Sequence, residues 1–120
     1  KPLSKFIQNI PKIGSDVRDP IARRQHFTYP QIPLESAAQL ATLLGELDAA
    51  LPKVTTPTLR VHARKDRVVP LRVARRVARK LGGPVYTRIL DRGGHTVVLD
   101  YDWRIAFAAA WLWLKDGAAS

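Results

Sequence analysis

A chain of 120 residues, 46% hydrophobic and 25% charged, has the composition of one globular domain at most and not of a disordered segment, although at this size folding buries less than about 70% of the unfolded chain's surface. It contains no cysteine, which excludes disulfides and thiolate metal centres, and no metal or cofactor is expected. The net charge of +10, from 20 Lys and Arg against 10 Asp and Glu, raises the question of nucleic-acid binding.

Residues 1–35 hold Pro2, Pro11, Pro20, Pro30 and Pro33. Few regular elements survive that density, so loop and short helical turns are predicted. The stretch "ESAAQLATLLGELDAAL" then carries apolar residues at 37, 40, 43, 44, 47 and 51. That spacing predicts an amphipathic helix over 36–51, with Ser36 available as its N-cap. "PKVTTP" is a break. "TLRVHA" alternates Leu59, Val61 and Ala63 with Thr58, Arg60 and His62 and reads as a strand. Arg60 and His62 are more polar than a strand covered on both faces usually shows.

"RKDRVVP" is a loop whose Pro70 suits the first turn of the helix that follows. In "LRVARRVARKLGG", Arg72, Arg75, Arg76, Arg79 and Lys80 alternate with Leu71, Ala74, Val77, Ala78 and Leu81. The pattern is an amphipathic helix with a basic outer face, ended by Gly82 and Gly83. A solvated face accounts for this charge, and neither a base-stacking aromatic set nor zinc-finger spacing supports nucleic-acid binding. "PVYTRIL" is a second strand, residues 91–100 form a loop, and Asp100 or Asp102 is placed to cap a last helix through Leu114. That helix is apolar nearly all round, with Trp103, Ile105, Phe107, Trp111 and Trp113, and expects burial against more protein than this chain supplies. Its run "IAFAAAWLWL" is too short to span a bilayer.

From residue 57 the order is strand, helix, strand, helix, which implies a parallel sheet. Two such strands are too few to stand alone. In open sheets of this kind functional groups collect in loops beyond the carboxyl ends of strands. One such loop holds Asp66, and the other, "DRGGHTVVLD", holds His95. Both loops open on the same edge of the sheet. A carboxylate beside an imidazole fixes its tautomer and stabilises its charged form, the Asp–His half of a nucleophilic triad.

"LPKVTTPTLRVHARKDRVVP" and "GGHTVVLDYDWRIAF" resemble the C-terminal part of an α/β-hydrolase, above all bacterial carboxylesterases and monoacylglycerol lipases. The matching residues are Pro57 and Thr58 entering the strand, Asp66, Val69 and Pro70 in the loop, Pro84 and Val85 at the next strand, Gly94 and His95, and Leu99 and Asp100. Upstream, "SDVRDP", Tyr29 and the helix 36–51 are similar to the segment that forms the lid of those enzymes. The resemblance implies an α/β fold: a partial α/β-hydrolase, its last two parallel strands with their helices, preceded by a helical lid segment. Residues 1–52 would be lid and linker, and residues 53–120 the C-terminal strand–helix–strand–helix portion. By the same resemblance Asp66 orients and His95 is the general base.

One departure limits the resemblance. The serines are Ser4, Ser15, Ser36 and Ser120, and none lies in a Gly-x-Ser-x-Gly elbow. Ser15 follows Gly14 but has no strand before it. The oxyanion-hole loop is missing too. The nucleophile and oxyanion donors are therefore expected in about 120–150 residues upstream, judged from a domain size of ~250. The chain begins at Lys1 and has no methionine, so a processed or partial chain is expected. The reading is the C-terminal portion of a serine carboxylesterase or lipase that takes an ester substrate. It needs an upstream half carrying the serine, and alone it is inactive or very weak. The isolated chain is expected to form homo-oligomers, with no membrane span and no nucleic acid. Without a signal pattern, its expected location is cytoplasmic. Two other readings stay open: a non-catalytic self-associating fragment, and a small basic nucleic-acid binder.

Overall fold

The structure, a computed structural model, describes residues 9–12 and 14–116. In chain order its elements are β1 (Asn9–Pro11), α1 (Pro20–Gln25), β2 (Gln31–Pro33), α2 (Leu34–Ala50), a 3₁₀ turn (Leu51–Lys53), β3 (Thr58–Ala63), α3 (Leu71–Lys80), β4 (Val85–Leu90) and α4 (Trp103–Lys115). The proline-rich segment holds more order than its composition predicts. β1 and β2 pair antiparallel, Asn9 opposite Pro33 and Pro11 opposite Gln31. The prolines sit at the ends of this two-stranded pair, where a missing N–H costs little. α1 follows the usual rule: Pro20 stands in its first turn, and the Asp19 carboxylate accepts from the N–H of Ile21 at 2.8 Å.

β3 and β4 are parallel, in register from Thr58 opposite Val85 to Ala63 opposite Leu90. The chain is therefore α/β, as its alternation of strand and helix implies. Thr58 N–H donates to Pro84 O at 2.9 Å and Arg64 N–H to Leu90 O at 2.7 Å. In a parallel ladder alternate residues turn their backbone groups toward one neighbour. Leu59, Val61 and Ala63 thus face the other edge of β3, where no strand pairs among the described residues.

The two faces of this sheet carry different helices. α4 lies over the face of Leu59 and Tyr86, and the Tyr86 and Trp113 rings meet at 4.7 Å between centroids. Between α4 and the sheet an open cleft of about 440 Å³ is lined by Leu59, Tyr86, Ile105 and Leu112. α3 covers the opposite face, with Ala74 buried. The buried apolar residues are small or few: Val17, Leu51, Ala63, Ala74, Leu90 and Ala106. Large apolar groups stay in solvent instead, with Trp111 at 68% and Leu114 at 76% exposure on α4. α2 buries no residue at all. No helix among the described residues is long and apolar enough to cross a membrane.

Three local expectations are corrected. Ser36 does not cap α2, which begins two residues earlier, directly after Pro33 and without a side-chain cap. The pairing of β2 and the fixed φ of Pro33 already set the entry angle. Asp102 stands at the N-cap position of α4 but its carboxylate makes no cap bond. Gly82 and Gly83 follow α3 in an ordinary negative-φ conformation. Their role is close approach, since a Cβ on Gly82 would lie 2.1 Å from the carbonyl oxygen of Pro52.

Candidate active site

The turn after β3 is built around Asp66. Its Oδ1 accepts the N–H groups of Val68 at 2.9 Å and Val69 at 2.8 Å, the fold-back that short acidic side chains favour. From the strand itself His62 donates its Nε2–H to the carbonyl of Val69 at 3.0 Å. This explains one polar residue on β3: His62 clamps the loop. Its Nε2 also lies 3.7 Å from Asp66 Oδ2. Arg60, the other, keeps Nε and Nη1 out of solvent without an acceptor among the described residues. Burial, and then the neighbouring Arg75, push its guanidinium below the ordinary value.

Asp66 Oδ2 is left for His95, whose Nδ1 stands 2.9 Å away. The Asp66 side chain is 2% exposed and that of His95 43%. Burial alone pushes the Asp66 carboxyl up. The bond from His95, the Val69 N–H, the charge of His95 and the Val68 N–H outweigh it and hold the carboxyl below the ordinary carboxylate value. An ionised carboxylate only accepts hydrogen bonds, so the proton of the neutral ring sits on Nδ1 and the lone pair on Nε2. His95 Nε2 makes no hydrogen bond among the described residues. An imidazole held in this way can take a proton at Nε2 and keep the resulting charge beside a carboxylate.

Three further aspartates set the backbone around the pair. Asp100, with 0% exposure, receives four N–H groups. Its Oδ2 accepts from Gly94 at 2.7 Å and Arg18 at 2.8 Å, and its Oδ1 from Asp19 at 2.9 Å and Tyr101 at 2.8 Å. Burial raises this carboxyl, and the four backbone bonds together bring it below the ordinary value. Asp102 accepts from Arg92 at 2.8 Å and Gly93 at 3.3 Å. Asp16 Oδ2 accepts from Arg67 at 2.9 Å and His95 at 3.0 Å. Gly94 admits this last segment, because a Cβ there would lie 1.8 Å from the carbonyl oxygen of Asp16.

Reading the sequence placed Asp66 and His95 in neighbouring loops, and the structure brings them together. It did not single out Asp16, and it treated Asp100 and Asp102 only as candidate helix caps. The available signal was a cluster of short acids around Gly93 and Gly94, residues that turn onto backbone amides more readily than onto helices. None of the serines within the described residues reaches the pair. Ser15 Oγ shares a hydrogen bond with His26 Nδ1 at 3.0 Å and accepts from Val17 N–H at 3.3 Å. Ser36 is exposed on α2. Ser4 and Ser120, with Pro2, lie outside the described residues. A cleft of about 460 Å³ adjoins the pair through Asp16 and Arg67, and Pro11, Lys12, Gly14, Ser15, Ile32 and Val68 also line it.

No family model matches the chain, and no curated protein does. Among solved structures the fold is matched by one from work on LipS and LipT, two metagenome-derived lipolytic enzymes, at a TM-score of 0.83 and 23% identity. The match covers 92% of this chain and 45% of that one. The chain thus has the fold of part of an α/β-hydrolase-like protein and spans less than half the length of the structure it matches.

Proposed function

We propose that the chain is the Asp- and His-bearing C-terminal portion of a serine carboxylesterase or lipase. The observation that carries this reading is the 2.9 Å contact of Asp66 with His95 Nδ1, which leaves Nε2 without a partner among the described residues. The fold it shares with a lipolytic enzyme supports it. The open edge of β3, the orphaned Arg60 guanidinium and the apolar surface of α4 also fit a chain with more hydrolase to bind.

In the assembled enzyme a serine from the upstream half attacks the ester carbonyl, and its Oγ proton passes to His95 Nε2. Asp66 stabilises the imidazolium. The ring then gives the proton to the departing alcohol oxygen. A water, losing a proton to Nε2, next attacks the acyl-enzyme and releases the acid and the serine. Residues 1–52 serve as lid and linker, and the cleft walled by Pro11, Ile32 and Val68 receives part of the acyl chain.

The test has two arms. Alone, the chain should hydrolyse p-nitrophenyl butyrate at a trace rate that His95→Ala removes, with no serine labelled by a fluorophosphonate. A robust rate abolished by changing Ser15 or another serine would overturn the reading. Mixed or fused with the N-terminal half of a lipolytic hydrolase of this fold, it should regain turnover that depends on both Asp66 and His95. A second reading, a non-catalytic chain that associates with copies of itself, is favoured by the exposure of Trp111 and Leu114. It is preferred if the assembled halves stay inactive while the chain forms a stable oligomer.

A further inference from the structure

The geometry points to Asp16 as a positioning residue: one oxygen of its carboxylate ties the Asp66 loop to the His95 loop and keeps the two side chains in register. That oxygen, Oδ2, accepts the N–H of Arg67, the residue after Asp66, at 2.9 Å and the N–H of His95 itself at 3.0 Å. The two donors lie 51 and 79 residues from Asp16 along the chain. Neither makes another hydrogen bond within the described residues. Each therefore depends on Asp16 for its partner, and each sits at the root of one side chain of the pair. A carboxylate accepting two N–H groups makes stronger bonds than a neutral acceptor, so both roots are held firmly.

The segment that carries Asp16 is itself seated from the far side. Arg18 and Asp19 donate their N–H groups to Asp100 at 2.8 and 2.9 Å. Arg18 Nη2 donates to the Lys65 carbonyl at 3.1 Å, and Val17 between them has 0% exposure. Segment 16–19 is thus bonded to both loops at once, on the side where Gly94 lets it approach. Asp16 acts through the backbone of its neighbours and touches neither ring nor carboxyl of the pair. The inference rests on the pair working as an acid–base unit, as proposed above, but its test reads the pair directly.

The test uses the full chain labelled with ¹⁵N. In the unaltered protein the His95 Nδ1–H gives a low-field proton signal shared with the Asp66 carboxylate, and Asp66→Ala, which removes the acceptor, defines its complete loss. Asp16→Ala should lose at least two thirds of that signal and exchange the His95 and Arg67 amides at least tenfold faster, while the β3–β4 amides keep their protection. Asp16→Asn retains an oxygen acceptor without the charge and should lie between the two. If Asp16→Ala unfolds the chain, Asp16→Asn alone decides. An unchanged Nδ1–H signal in the folded variant overturns the inference, as does unchanged exchange of the two amides. In the reassembled enzyme, Asp16→Asn should lower kcat several-fold with KM nearly unchanged. An Asp16-dependent signal in an assembly that hydrolyses no ester would sink the esterase reading and leave the positioning role standing.

Discussion

Asp100→Asn is nearly isosteric and asks what the buried carboxylate contributes. The amide oxygen can replace one carboxylate oxygen, so the bonds from Asp19 and Tyr101 to Oδ1 can persist. The amide nitrogen then stands where Oδ2 accepts from Gly94 and Arg18, and it meets two donors with a donor. A hydrogen bond to a charged group contributes ~1.5–3 kcal/mol, and a buried donor left unpaired costs about as much again when no water reaches it. Taking the lower figure for each of the two bonds gives about 3 kcal/mol. A domain of this size has as little as ~6 kcal/mol of stability, so the variant should lose about half of it, with Tm lower by roughly 10 °C. Thermal melts followed by circular dichroism at pH 7 measure this, with Asp91→Asn as the control. Asp91 pairs with Arg64 on the surface, and its variant should melt with the unaltered protein. The folded Asp100 carboxyl sits below its ordinary value, so its contribution is present above about pH 4, the unfolded value, and is lost as pH falls through the folded one. The gap between wild type and variant should therefore narrow below pH 4. A Tm loss at pH 7 no greater than that of Asp91→Asn would refute the reasoning.

Gly94→Ala places a Cβ against the carbonyl of Asp16 and should free segment 16–19, seen as faster exchange of the Arg18 and Asp19 amides and a stability loss of about 2 kcal/mol or more; normal protection there refutes it. His95 should be the first histidine to react with diethyl pyrocarbonate, because its side chain is 43% exposed against 12% for His62, and its Nε2 carries the lone pair without a hydrogen bond among the described residues; mass-mapped modification of His62 first would contradict this. At micromolar concentration the isolated chain should sediment as a dimer or larger species through its open sheet edge and the apolar face of α4, and Trp111→Lys should weaken the association; a compact monomer would count against both.

Much of the second half of the chain was legible because its signals are local. β3 and β4 follow from alternation between Pro and Gly punctuation, and their bounds fall within a residue of expectation. Strand ends then place Asp66 and His95 in adjacent loops. The anchors were not legible, because an aspartate that bonds amides 79 to 82 residues away leaves no periodicity. Local rules competed with that role and lost. Asp102 stands where a cap belongs, yet the amides of Arg92 and Gly93 take its carboxylate. Ser36 has the right chemistry for an N-cap, but the helix had already begun at Leu34. The short β1–β2 pair was masked by prolines that its ends tolerate. His62 looked out of place on β3 until Val69 supplied its acceptor.

The separation in sequence between segment 16–19 and the loops it joins has a consequence for how this chain tolerates change. The longest element between that segment and β3 is α2, which buries nothing. Changes in the part of α2 before Asp48, which pairs with Lys80 of α3, disturb no buried side chain of that helix, and the bonds that Asp16 and Asp100 make lie outside it. The chain joins a tightly bonded Asp66–His95 pair to a helix that buries none of its own side chains, so substitutions along most of that helix should leave the pair undisturbed.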